Sequence, residues 1–199
     1  MNLESITEKI AGQLFVEMEA SGRHVHVTAE QANILFGHPL TPSRPLSQPG
    51  QFLAKERVTL KGAKGSFSGV AVLGPERNEA QIEISLTDGR ILGITPPVRL
   101  SGDTAGTPGI TLEGNAGHLT LECGVIAAQR HIHLTPTGAA RFGVRDGQIV
   151  RLQALTNRPL TFGDVAVRVS DKFADYAHLD YDEANACGFR PGDLGRIIP

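Results

Sequence analysis

Apolar and polar residues change places every few positions along this chain, and only one stretch holds a helical period for several turns. In "MNLESITEKIAGQLF" the residues Leu3, Ile6, Ile10 and Leu14 recur at spacings of three and four, with Glu4, Thr7, Glu8 and Lys9 largely off that stripe. This predicts an amphipathic helix within residues 1–20. Packing against its own domain would satisfy the stripe, and so would docking on a partner or a shell. Downstream, "RVTLKG", "GVAVLG", "QIEISLTDG", "ITLEG", "HLTLECG" and "GQIVRLQAL" are short apolar runs bounded by turn residues, which predicts strands. "PPVRLSGDTAGTPG", rich in Pro and Gly, predicts a long ordered loop. The expected fold is mainly β with short helices, as barrels or sandwiches.

Composition narrows the picture. The chain has 199 residues, 40% of them hydrophobic, and a formal charge of −2. That is enough chain for a core without staples. No global charge draws it to nucleic acid or to an anionic membrane, so an anionic ligand must meet a local basic group. The two cysteines, Cys123 and Cys187, form no CxxC pair, which fits a reducing cytoplasm rather than a disulfide scaffold. No apolar run nears the roughly 20 residues of a membrane span. Acidic residues near the start argue against a secretory signal.

Against this background an internal repeat stands out. "RHVHVTAEQANILFG" (23–37) and "RHIHLTPTGAARFG" (130–143) share Arg, His, His, Thr, Ala, Phe and Gly. A partial third copy, "HLDYDEANACGF" (178–189), pairs Asp180 with Thr28, Ala184 with Ala32 and Asn185 with Asn33. In each copy an extended segment ends in histidine, and Thr28, Thr135 or Asp180 is placed to N-cap a short helix. Thr28 with Gln31, and Asp180 with Glu183, have capping-box spacing, while Pro136 suits a first helical position. The halves of the chain are therefore expected to be related.

Alternation along an extended segment turns residues i and i+2 to one face. His24 and His26 then point together, as do His131 and His133, each pair about 7 Å apart along its strand. His178 stands at the place of His26 and His133. Such pairs can share divalent metals, and imidazoles without a cysteine set favour Zn²⁺, then Co²⁺, Ni²⁺ or Fe²⁺. Glu30, Glu56 and Glu83 are the carboxylates that can complete a site. Glu83 shares a strand face with Gln81 and Ser85 and, amid apolar residues, needs a partner; a solvated face is the competing explanation. Arg77, just after a strand, has the planar fork that suits phosphate. "SGDTAGTPG" offers backbone N–H groups for an anion but matches neither phosphate-loop spacing.

With those residues in hand, the sequence resembles the PduL-type phosphotransacylases, the phosphate propanoyltransferases associated with bacterial microcompartments. "RHVHV", "LTPSRPLSQPGQFLAKERVTL", "VLGPERNEAQIEIS", "GDTAGTPGITL", "QRHIHL" and "YAHLDYDEANA" follow the family in order over nearly the whole chain after about residue 20. The resemblance implies two β-barrel-like domains from a duplicated unit, expected at about 21–115 and 116–199, with the active site between them. It implies two metal ions, usually zinc: one held by His24, His26 and Glu83, the other by His131, His133 and His178. It implies Arg77 as the phosphate-binding residue, and Ser21, Gly22, Lys64 and Asn185 in contact with coenzyme A. The expected reaction interconverts acyl-CoA (propanoyl-CoA or acetyl-CoA) and phosphate with acyl phosphate and free CoA. Gly22 stands where the family usually has Asn, and Gln129 where Ala is common; the metal ligands and Arg77 match. Many members carry an N-terminal peptide that sends them to a microcompartment lumen, so shell or lumen proteins join the expected partners, with a homo-oligomer left open.

Two other readings fit parts of the pattern. "HVHVTAE" has His-x-His followed by Glu30 at a spacing like that of cupin oxygenases and isomerases, although the later Gly-His motif of cupins is missing. A zinc-stabilised interaction module without catalysis is the other.

Overall fold

A computed structural model describes Thr7, Ile10 and residues 12–199. Leu3 and Ile6 of the predicted N-terminal stripe lie outside the described residues. Ile10 and Leu14 are helical, and both side chains are exposed. The remaining elements follow in chain order. The first part holds β1 (Val16–Ser21), β2 (His24–His26), α1 (Ala29–Phe36), β3 (Pro42–Pro45), β4 (Phe52–Lys61) and β5 (Ser66–Gly74). Next come β6 (Gln81–Glu83), α2 (Leu86–Leu92), β7 (Val98–Arg99), β8 (Ile110–Glu113), β9 (His118–Leu121) and β10 (Val125–Ala128). The last part holds β11 (His131–Leu134), α3 (Pro136–Phe142), β12 (Ile149–Leu155), β13 (Leu160–Val169), β14 (Tyr176–Asp180), α4 (Tyr181–Cys187) and β15 (Leu194–Ile198). Among the described residues no helix is long and apolar enough to cross a membrane.

The chain forms two compact units, residues 22–129 and residues 1–21 with 130–199. In the second of these the sheet closes as a barrel in the order β1-β14-β11-β13-β12-β15. The first has the path β10-β6-β2-β5-β4-β8, extended by β7 and β9 at its ends and by β3 on β4. The two paths match strand for strand, and so does the direction of every pairing. β1–β14 and β10–β6 are parallel, β14–β11 and β6–β2 antiparallel, and β11–β13 and β2–β5 parallel. The pairs β13–β12 and β5–β4, then β12–β15 and β4–β8, are antiparallel. Only the closure differs: β1 pairs with β15, whereas β8 turns to β9 instead.

The expected boundary near 115/116 moves. It would cut the turn of the β8–β9 hairpin, where the Gly114 N–H donates to the Gly117 carbonyl and Glu113 faces His118. The chain divides at 21/22 and 129/130 instead. At both points a strand (β1 or β10) that completes one unit runs straight into the His-x-His strand of the other. Each unit has its own core. Val25, Leu35, Leu60, Val72, Ile82 and Leu112 belong to one, and Met18, Ile132, Leu134, Leu152, Val167 and Leu179 to the other.

The predicted strand over "QIEISLTDG" is half helix. β6 ends at Glu83, and Ser85 is not a strand-face residue but the N-cap of α2. Its hydroxyl accepts from the Asp88 N–H, and the Asp88 carboxylate accepts from the Ser85 N–H, a capping box. Thr28 with Gln31 and Asp180 with Glu183 do the same for α1 and α4, and Thr135 caps α3 ahead of Pro136. Each of α1, α2, α3 and α4 stops at a left-handed glycine: Gly37, Gly93, Gly143 and Gly188. The strand, cap and short helix therefore occur four times, not three, and Glu83 belongs to the missing copy.

Candidate functional site

The four copies work as two pairs. β2 lies antiparallel to β6 with His24 opposite Glu83 and His26 opposite Gln81. β11 lies antiparallel to β14 with His131 opposite His178 and His133 opposite Tyr176. The register is the same. The residue two before each N-cap (His26, Glu83, His133, His178) faces its pair's centre, joined by the residue four before the cap in one copy, His24 or His131. Ligand-capable atoms of His24, His26 and Glu83 lie within 4.8 Å of one another, as do those of His131, His133 and His178. Each unit thus gathers one of the two predicted trios. Glu30 is exposed in the first turn of α1, outside the trio, so the cupin-like use of Glu30 has no support. Glu56 instead accepts from the Thr41 N–H.

A second layer aims these side chains. The Nδ1–H of His24 donates to the Gly22 carbonyl at 2.8 Å, which leaves Nε2, 3.6 Å from Glu83 Oε1, turned toward the trio. Burial pushes the His24 pKa down, but its ion pair and hydrogen bond with Glu83 and the bond to Gly22 outweigh this and raise it. His26 goes the other way. Burial, then the charges of His24 and Arg77, hold it well below its ordinary value, and its buried Nδ1 has no hydrogen-bond partner. A neutral, buried imidazole with an unmet nitrogen suits a metal ligand. In the other trio the ring centroids stand 4.6–4.9 Å apart, Phe173 stacks on His133 at 4.1 Å, and the Glu19 carboxylate lies 3.5 Å from His178 Nδ1.

Arginines tie the copies of each pair together. Arg23 forks onto the buried Asp88 carboxylate (2.6 and 3.0 Å), and Arg130 pairs with Glu183 at 2.5 Å. Asp88 and Glu183 are the third helical residues of equivalent capping boxes. The arginine before each His-x-His therefore fixes the cap of the facing copy, a role that sequence reasoning missed.

Arg77 sits in the loop after β5. Its N–H donates to the Val27 carbonyl, and Nη1 donates to the Ser101 hydroxyl at 3.3 Å. Its charge reaches the trio, lowering both His24 and His26. Beside it opens a pocket of about 550 Å³ lined by Glu76, Arg77, Asn78, Glu79, Gln81 and Gly102. Glu76 there accepts from the Leu40 N–H. Three amides of the "SGDTAGTPG" loop are engaged by protein acceptors. Gly102 donates to Gln81 Oε1, Asp103 to the Leu100 carbonyl and Thr107 to the Thr104 carbonyl. Of the expected CoA contacts, Ser21 ends β1 and Asn185 is exposed on α4, both in the closed barrel; Gly22 and the exposed Lys64 lie in the other unit.

A family model described as phosphate propanoyltransferase matches residues 17–190. A phosphate propanoyltransferase of Clostridioides difficile is 50% identical over 198 residues, 98% of this chain and 95% of the relative. One from Enterococcus faecalis is 54% identical, covering 92% of this chain and 87% of its own length, and one from Thermotoga maritima is 50% identical over 89% and 86%.

Proposed function

Because the chain belongs to the phosphate propanoyltransferase family and is thereby a phosphate acyltransferase, we propose that it interconverts propanoyl-CoA or acetyl-CoA and phosphate with acyl phosphate and CoA, using two divalent metal ions. One ion belongs to His24, His26 and Glu83, the other to His131, His133 and His178. Nitrogen and oxygen donors without thiolate make Zn²⁺ the best match. The observation that carries this reading is Arg77 beside the first trio, in a polar pocket of its own unit.

The reaction needs no nucleophilic side chain. A phosphate oxygen attacks the thioester carbonyl carbon, the C–O bond forms, the C–S bond breaks, and the sulfur leaves as thiolate. Arg77 supplies a guanidinium fork that binds the phosphate, orients it and offsets its charge. His26, held neutral, keeps its lone pair for the metal at neutral pH. A bound divalent ion supplies Lewis acidity for the thioester carbonyl and the leaving sulfur. Ser21, Gly22, Lys64 and Asn185 are the residues we assign to CoA.

Arg77→Ala should retain two metals per chain by elemental analysis and lose at least about a hundredfold in phosphate-dependent thiol release. Near-native turnover in that variant would contradict the assignment.

A further inference from the structure

Gln81 is the residue in this region with the most fully determined surroundings. It is buried, 2% exposed, and stands on β6 two residues before Glu83, on the same face. Its Nε2 donates to Glu83 Oε1 at 2.6 Å and to the Ser101 hydroxyl at 2.8 Å. Its Oε1 accepts from the Gly102 N–H at 2.7 Å. Chemistry alone fixes the orientation of this amide. Flipped, its oxygen would face the Glu83 carboxylate and its NH₂ would face the Gly102 N–H, both repulsive.

The consequences spread in two directions. Toward the trio, the Gln81 N–H holds one carboxylate oxygen of Glu83 and so sets the rotation of that ligand. Toward the pocket, Ser101 accepts from both Gln81 and Arg77. A hydroxyl has two acceptor positions and one proton, so Ser101 is left with its proton to donate. The Gly102 bond anchors the same turn. Duplication sharpens the contrast: the matching residue of the other unit is Tyr176, a ring 6.4 Å from His178, and Phe173 covers His133 there.

We propose that Gln81 is a positioning residue for the phosphate step: it fixes the Glu83 carboxylate for the metal and, through Ser101 and Gly102, turns a hydroxyl donor toward the phosphate that Arg77 binds. This rests on the acyl-transfer reading above. Ser101 then becomes a phosphate contact, and Gln81 acts only through its neighbours.

The test compares the wild type with Gln81→Met, which keeps length but removes every hydrogen bond, and with Ser101→Ala. Initial rates are measured against phosphate and against propanoyl-CoA separately. Zinc affinity is measured without turnover, by competition with a chromophoric chelator. Gln81→Met should raise the KM for phosphate about tenfold, leave that for propanoyl-CoA within twofold, and weaken the tighter contest for one of the two zinc ions about tenfold. Ser101→Ala should raise the phosphate KM alone. If Gln81→Met leaves either the phosphate KM or the zinc competition as in the wild type, the proposal is overturned. If that variant does not fold, an unchanged phosphate KM in Ser101→Ala overturns it. A wild type whose thiol release ignores phosphate refutes the underlying reaction, and is distinguished from these outcomes because it appears before any substitution is made.

Discussion

His24 and His26 are two residues apart on one strand face, yet their acid–base behaviour diverges because Glu83 acts on His24 through both charge and a hydrogen bond, whereas at His26 the charges of His24 and Arg77 come ahead of it. Burial lowers both, but Glu83 and the Gly22 carbonyl reverse the effect at His24. In metal-free protein Glu83→Gln should therefore move the His24 titration down, observed by NMR of the ring nitrogens. An unmoved titration would mean that Glu83 is not the group raising it. The sign for metal binding follows: a ligand that holds its proton to higher pH yields its metal earlier as pH falls. The raised His24 should thus make its trio yield metal earlier on acidification than an unshifted histidine would, read as metal content against pH. Removing single ligands separates the sites. His178→Ala and Glu83→Ala should each leave one metal per chain by elemental analysis, where the wild type holds two. Four of the six ligand candidates stood out in the sequence because strand alternation makes His-x-His conspicuous; the repeat added His178, and the family resemblance singled out Glu83 from Glu30 and Glu56. Alternation also placed Gln81 on the Glu83 face, but its tie to Ser101 and the tie of Asp88 to Arg23 were not legible: those partners lie 20 and 65 positions away, in contacts that no periodicity reports.

At the level of elements, the repeated part is a strand whose end is capped into a helix, used four times. The sequence showed three because the fourth carries Glu83 in place of histidine and Ser85 in place of threonine or aspartate. It also read as strand through Ser85, since an N-cap keeps extended dihedrals (φ −77°, ψ 166° here) and continues the alternation past the strand's end. The capping-box spacing of Ser85 with Asp88, and Gly93 eight residues after the cap, was the available signal. Arg23 gives this element a testable energetic role. Asp88 is buried at 4% exposure, and removing its fork strands a carboxylate. Arg23→Met should cost about 1–3 kcal/mol in urea unfolding. Arg130→Met, with the more accessible Glu183, should cost less. Negligible losses would mean that these pairs add nothing to stability, and equal losses that burial of the carboxylate does not set their difference.

Over the whole molecule, one six-strand path is used twice, and β1 and β10 each complete a unit before the chain crosses into the other. Sequence comparison within the chain could reveal related halves but not this exchange, because the crossing strands "VEMEAS" and "VIAA" share almost no side chains. That is why a division drawn at 115 fell inside a hairpin. The same duplication supplies two ligand trios with different surroundings, one polar beside Arg77 and Gln81, the other covered by an aromatic ring. The central claim is that these trios hold metals that serve phosphate-dependent acyl transfer. Its most direct measurement is free-thiol release from propanoyl-CoA with and without phosphate, before chelation, after it, and after zinc is restored. Release should require phosphate, fall to background on chelation and return with zinc. Release that continues without phosphate, or undiminished in fully metal-free protein, would contradict it.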